Sequence, residues 1–299
     1  MDTRIDRFLL GDNAFIGVNH LSQEKLRNRE ARIVPEVVAK VIDSAFTAGA
    51  QGLVCSAHPN MFRVLEFLRE QNYSKRFGLY VIIPDIQSYV RLASQKGMLG
   101  LIGDKFKSLR LINKAETMIQ TGISTLSLDP HRLLKTYLDV EVSSFAKSFP
   151  LNAKLKSVFV HEILTELMIS FEMKEFARDY VAFAQDRIHV IPGFVTRNFP
   201  RFLDFMKESE IPLNEVVVLT PFNKVGFQMN PSKQECENAL SGAGNVNVIA
   251  MSLLAGGYLS LVSAVNYLKS IPRVNSCVIG VSTESHARET FATLKSSLD

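Results

Sequence analysis

Cysteine is scarce in this chain. There are three, Cys55, Cys236 and Cys277, far apart and odd in number. They provide neither a disulfide framework nor a CxxC metal knuckle. A reducing, cytoplasmic setting fits that usage. Runs of one charge are missing as well. Lys and Arg total 34 against 30 Asp and Glu, a formal net charge of +4, and no stretch gathers five or six basic residues. That distribution argues against nucleic-acid binding. The first residues, MDTRIDRFLL, carry charges where a signal peptide needs an apolar centre. Charge is absent altogether from residues 238–268, a length sufficient to cross a bilayer. That stretch also holds Asn245, Asn247, Gly256, Gly257 and several serines, and its pattern changes midway. A buried strand, a glycine turn and a buried helix face explain it better than a membrane span. No low-complexity linker divides the chain, and nothing repeats beyond an alternation of strands and helices.

What is present is apolar sequence in short, regular pieces. Hydrophobic residues make up 46% of 299 residues, ample for a large core in one domain. Residues 7–11, RFLLG, read as a first strand, followed by a long polar loop. Pro35 opens a helix at a position where its missing N–H costs nothing. Val37, Val38, Val41, Ile42, Ala45 and Phe46 form its apolar stripe, and Gly49 stops it. GLVCSAHPN is a second strand, and LYVIIP (79–84) is a third. Two extra helices are expected after strand three, at 85–96 and 104–120. The extended piece STLSLD (124–129) and a helical stretch (131–149) follow. SVFVHE (157–162) is a fourth strand, RIHVIPGFV (187–195) a fifth and EVVVLTPFN (215–223) a sixth. Helices follow each of them.

The chain ends in two like units, NVNVIAMSLLAGGYLS (245–260) and SCVIGVSTESHARET (276–290). Each reads as a buried strand, a small-residue loop and the first turn of a helix. Continuously apolar strands alternating with helices indicate a parallel sheet covered on both faces. Nine strand candidates exceed the eight of a closed barrel, and STLSLD is the one set aside. The fold class expected is α/β, a (β/α)8 TIM barrel with extra helices inserted after strand three, as one domain over residues 1–299. The alternative is an open doubly wound sheet. Its GxGxxG fingerprint is absent, since Gly11 and Gly17 stand in GDNAFIG.

MSLLAGGYLS and CVIGVSTESHARET resemble the C-terminal units of the aldo-keto reductase superfamily, which read like "SPLAGG-L" and "VIxGxSxxxHxxEN". PFN (221–223) is similar to that family's sixth-strand region. The resemblance covers about the last third of the chain. It implies a nicotinamide cofactor, NADP(H), across the barrel mouth, with its phosphates at the loop after strand seven and the helix start after strand eight. The residues agree on their own terms. Gly256 and Gly257 let backbone amides approach an anion, and Ser282 and Thr283 sit at a helix N-terminus with unpaired N–H groups. A helix cap and a simple turn explain the same residues. The family's catalytic Asp and Tyr follow strand two, where this chain has CSAHPNM. Its Lys ends strand three, where this chain has Pro84. His161, in SVFVHE, matches its histidine.

Polar residues cluster just after the expected strands, at the end where barrels place active sites. They are Asp12, Asn13 and His20 after strand one, His58 and Asn60 after strand two, and Asp85 after strand three. His161 and Glu162 follow strand four, Thr196 and Arg197 strand five, Asn223 and Lys224 strand six, and Asp129 and His131 the piece set aside. His58, His161, Asp12, Asn13 and His20 are the catalytic candidates, because histidine transfers protons near neutrality. Gly256, Gly257, Ser282, Thr283, Arg197 and Asn223 are the cofactor candidates. His20, His58 and His161 are candidate ligands of a divalent metal, although no HxH or HExxH pattern supports one. Lys224 is a candidate Schiff-base lysine, or a solvated one. Each histidine also has a plain structural reading.

The leading expectation is an enzyme acting on a small polar or phosphorylated metabolite by histidine-assisted or metal-assisted chemistry. A nicotinamide-dependent oxidoreductase with a rearranged proton donor is the alternative. A third is an inactive binding barrel, whose cleft would be filled by Phe15, Met61 and Phe222. Partners other than a small molecule, namely nucleic acid and membrane, are not expected.

Overall fold

The computed structural model describes residues 5–16, 34–84, 138–139, 141–271 and 273–298. Within them, eight parallel strands close into a barrel in chain order. The strands are β1 (Phe8–Gly11), β2 (Gly52–Ser56), β3 (Phe77–Ile83), β4 (Ala153–Val160), β5 (Ile191–Val195), β6 (Val217–Pro221), β7 (Asn247–Met251) and β8 (Ser276–Gly280). Helices cover the outside: α1 (Pro35–Ala48), α2 (Pro59–Glu70), α3 (Glu162–Ser170), α4 (Lys174–Ala182), α5 (Phe199–Glu208), α6 (Lys233–Gly242), α7 (Leu261–Ser270) and α8 (Glu284–Leu298). β8 pairs with β1, matching Phe8 to Cys277 and Gly11 to Gly280, which closes the ring. The expected helices at 85–96 and 104–120, and STLSLD, lie outside the described residues. Residues 141–146 are helical, as read.

The strands are apolar throughout because both faces are buried. Leu79, Val81 and Ile83 of β3 point outward to the helices. Tyr80 and Ile82 point into the barrel with Leu9, Val54, Phe159, Val217, Leu219 and Ile249. At the N-terminal end Asp6 closes the interior. The Tyr80 hydroxyl donates to Asp6 Oδ2 at 2.9 Å and accepts from the Asp6 N–H at 2.8 Å, and Lys156 Nζ lies 3.2 Å from Asp6 Oδ1. A polar plug there leaves chemistry to the opposite, C-terminal mouth.

Two sequence expectations shift, and a third holds. Val37 is 57% exposed, so the buried stripe of α1 is Val38, Val41, Ile42 and Ala45. His189 does not lie in a strand: a π-helical turn runs through Phe183–Ile188, His189 follows it at φ 61°, and β5 begins at Ile191. The uncharged stretch 238–268 is divided among the end of α6, β7, a 3-10 turn and most of α7. Among the described residues no helix is long and apolar enough to cross a membrane.

Candidate active site

The mouth has an apolar floor. Ile82, Met251 and Val278 are the interior side chains that remain partly accessible there. Beside them β1 and β8 end in Gly11 and Gly280, register partners with no side chain. Gly280 is exposed, and a Cβ placed on it would meet only the Gly11 backbone carbonyl oxygen, at 3.6 Å. The seam between these strands is therefore a notch lined by backbone. Asp12 follows directly and is buried, its Oδ2 accepting the Ser56 N–H at 2.7 Å. That bond ties the end of β1 to β2 and fixes a carboxylate next to the notch. Asn13 is exposed in the turn that follows.

His58 and His161 have the same local role. Each is the residue before a helix, and each accepts a helix N–H on Nδ1. His58 takes that of Asn60 at 3.1 Å, and His161 that of Ile163 at 3.2 Å. An imidazole that accepts on Nδ1 carries its proton on Nε2. The caps thus select one tautomer for both rings. The strands set their placement. His161 N–H bonds Ile83 O at 2.8 Å, and Ala57 N–H bonds Ile82 O at 3.0 Å, so His58 and His161 flank the end of β3 at one level. Both fall on the inward parity of their strands, two residues after Ser56 and Phe159. Both are partly buried.

Glu162 serves a different purpose. Its carboxylate pairs bidentately with Arg197, Nε to Oε2 at 2.9 Å and Nη2 to Oε1 at 2.7 Å. One turn along α3, Glu166 accepts the Thr196 hydroxyl at 2.7 Å and the Arg197 N–H at 3.1 Å. Two acidic residues of α3 therefore hold the loop after β5. Sequence reading missed Glu166; its spacing of four from Glu162 on one helix was the available signal. Arg197 O in turn accepts the Asn230 N–H at 2.9 Å. Asn223 is buried, and its amide closes its own loop, donating to Phe227 O and accepting from Phe227 N–H, both at 2.8 Å. Gln228 Oε1 accepts the Ser252 hydroxyl at 3.1 Å, so the loops after β5, β6 and β7 are strung together.

The loop after β7 is tightly wound. Ser252, Ala255, Gly256 and Gly257 have φ of 57°, 48°, 71° and 95°. Left-handed backbone costs a non-glycine residue about 1–2 kcal/mol, and such strain gathers at functional loops. Gly257 is exposed, and nothing lies within 4 Å of a Cβ placed there. At α8 the capping hydroxyl is that of Thr283, not Ser282; it accepts the His286 N–H at 3.3 Å. An open glycine and the N-terminus of a long helix suit an anionic group.

Among the described residues no group of three or more His, Cys, Asp or Glu side chains converges on a metal position. His20, Asp85, Asp129 and His131 lie outside those residues. The fillers of an inactive cleft are elsewhere: Phe15, Met61 and Phe222 are packed in the core between barrel and helices.

No protein-family model and no curated protein sequence matches the chain. Solved structures do. An aldo-keto reductase from Bacillus halodurans in its holo form superposes with a TM-score of 0.55 at 11% identity, covering 97% of this chain and 86% of that one. A glycerol dehydrogenase from Gluconobacter oxydans gives 0.56 at 12%, covering 98% and 88%. The aldose reductase from Schistosoma japonicum gives 0.53 at 10%, covering 96% and 82%. Closed strand order and structural likeness over nearly the whole length agree: this chain has the barrel fold of the aldo-keto reductases.

Proposed function

We propose that the chain is an oxidoreductase-type enzyme that uses NADP(H) to interconvert a carbonyl and an alcohol on a small polar metabolite. The paired imidazoles of His58 and His161 carry this reading. Both are capped into the Nε2–H form on one side of the mouth, while the open loop at Gly256 and Gly257 and the start of α8 at Thr283 form the other side.

Those loop and helix residues would hold the cofactor phosphates, since Gly257 leaves room for close backbone approach and α8 supplies an N-terminus. A bound nicotinamide supplies hydride. The chain's own residues do the rest. His161 donates a hydrogen bond from Nε2–H to the substrate oxygen and stabilises the charge that develops there, His58 supplies a second donor at the same level, and solvent water at the mouth supplies the proton that completes the alcohol. Removing one such donor costs about 100- to 1,000-fold in rate. With Nδ1 occupied by the helix cap, Nε2–H is the donor each ring presents. Asp12 fixes the floor beside the notch. Arg197, already paired with Glu162, is a wall of the site.

The test uses His161→Asn. Asparagine is a strong helix cap, so α3 is kept while the Nε2 proton is lost. NADP(H) binding is measured by fluorescence titration, and turnover by loss of the reduced-nicotinamide absorbance with a panel of small polar and phosphorylated aldehydes and ketones. Binding is expected in both proteins, with turnover reduced about 100-fold in the variant. Absence of NADP(H) binding overturns the cofactor assignment. Unchanged turnover in His161→Asn overturns the role of the imidazole.

A further inference from the structure

The ring of outer helices has a gap. α6 packs on α5, and α7 packs on α8. Between α6 and α7 runs a groove of about 840 Å3. Its walls explain why the helices stand apart. Gln234, Asn238 and Ser241 of α6 and Ser263, Asn266 and Ser270 of α7 line it. Each set follows the spacing of a single helix face. Helices close on one another by interlocking apolar ridges, and these two faces are mainly polar, with only Leu240, Val262, Tyr267 and Ile271 as apolar lining.

The charges in the groove are unequal. It is lined by three cations, Lys224, Lys233 and Arg273, and one carboxylate, Glu237. Glu237 is already engaged: it accepts the Tyr267 hydroxyl at 2.7 Å and lies 3.6 Å from Lys233 Nζ. Among the described residues neither Lys224 nor Arg273 has an ion-pair partner. Arg273 donates to Gly244 O at 2.9 Å, which orients the guanidinium and leaves its charge uncompensated. Lys224 follows β6 at the mouth end of the barrel, and Arg273 precedes β8 at the opposite end. The ten-residue helices between them span about 15 Å. Along that length the groove offers amides and hydroxyls. The Ser241 and Ser270 hydroxyls donate to backbone carbonyls of their own helices, which leaves their oxygens as acceptors.

We propose that this groove is a second binding site, for an elongated, polyhydroxylated metabolite with a phosphate-class anion at each end, of which sugar bisphosphates are the type. Lys224 and Arg273 hold the two anions, and the serine and asparagine side chains pair with the hydroxyls between them. The site lies on the outer wall, reaching toward the mouth end of the barrel only at Lys224, and does not depend on the oxidoreductase reading.

The experiment is calorimetric titration of the full chain with fructose bisphosphate, and separately with fructose monophosphate and inorganic phosphate, at constant ionic strength. Saturable binding of the bisphosphate is expected, about tenfold or more tighter than the monophosphate, which one matched charge pair supplies. Lys224→Ser and Arg273→Ser each bring the bisphosphate down to the monophosphate level. Both residues are exposed, so neither variant disturbs folding, and Arg273→Ser, at the far end, leaves NADP(H) binding at the mouth unchanged. Equal affinity for bisphosphate and monophosphate, indifference to both substitutions, or no saturable binding overturns the proposal.

Discussion

Gly193 lies beneath the floor of the mouth, and replacing it with alanine tests how the barrel interior is filled. It pairs with Phe159 across β4 and β5. A Cβ on Gly193 would stand 2.6 Å from Cγ and Cδ1 of the Phe159 ring and 2.8 Å from Cε1. Carbon atoms are comfortable at about 3.5–4.0 Å, so something must move by about 1 Å. The strand is poorly placed to do so. The Tyr180 hydroxyl accepts the Gly193 N–H at 3.1 Å and lies 3.0 Å from Gly193 O, clamping that peptide from outside. The ring is confined as well: Phe159 is fully buried, with the Tyr80 ring 6.5 Å away. Gly193→Ala should therefore cost about 2–3 kcal/mol, the upper part of the overpacking range. Phe159→Leu alone removes part of a buried ring and should cost about 1–2 kcal/mol, less than truncation to alanine. Combined, the leucine makes the room that the new methyl needs. The double variant should be more stable than the sum of the single changes predicts by about 1–3 kcal/mol. Urea unfolding of the four proteins measures this. Single effects that simply add, to within about 0.5 kcal/mol, would falsify the steric account. Because Phe159 precedes His161 by two residues on the same face, turnover should fall in Gly193→Ala and recover in the double variant.

Two further outcomes follow from buried groups. Asp6→Ala leaves the Tyr80 hydroxyl and Lys156 without the carboxylate they share, the Lys156 and Asp6 side chains being only 12% and 18% exposed. The loss should be about 2–4 kcal/mol by thermal unfolding, somewhat below that of a fully buried pair, and Asp6→Asn combined with Lys156→Met should recover most of it. A double variant as unstable as Asp6→Ala would show that the charge pair is not the reason. Burial pushes the Cys277 thiol from 9.0 up to about 12, the Arg7 charge opposing it, and burial followed by the Asp12 charge raises Cys55 as well. Such thiols titrate later in the folded state, so their contribution is intact below pH 9 and is lost as pH rises toward about 12. Stability should decline across that window, and both thiols should resist a disulfide reagent near neutrality until the protein unfolds. Prompt labelling of Cys55 or Cys277 in the native protein would contradict their burial.

The barrel could be read from the chain because its strands are short, apolar on both faces and separated by helices. Local composition is enough for that pattern. RFLLG, LYVIIP and the paired units at the C-terminus each became a strand, and the resemblance of MSLLAGGYLS and CVIGVSTESHARET to the reductases matched the fold. Boundaries were less secure where a single residue changed the outcome. His189 takes a left-handed conformation after a π turn, and no periodicity marks that turn. Val37 fits the stripe of α1, yet faces solvent because a helical stripe is wider than the surface it meets. For the candidate site, the sequence placed His58 and His161 at strand ends but left their chemical form open. Only folding gives their Nδ1 atoms to N–H groups in the first turns of α2 and α3, and that contact decides the tautomer. Glu162 and Arg197 are 35 residues apart in the chain, and Glu166 lies a turn away from Glu162. Nothing local joins them. The barrel does, by bringing the ends of β4 and β5 to neighbouring positions. The backbone notch at Gly11 and Gly280 likewise exists only because β8 closes on β1.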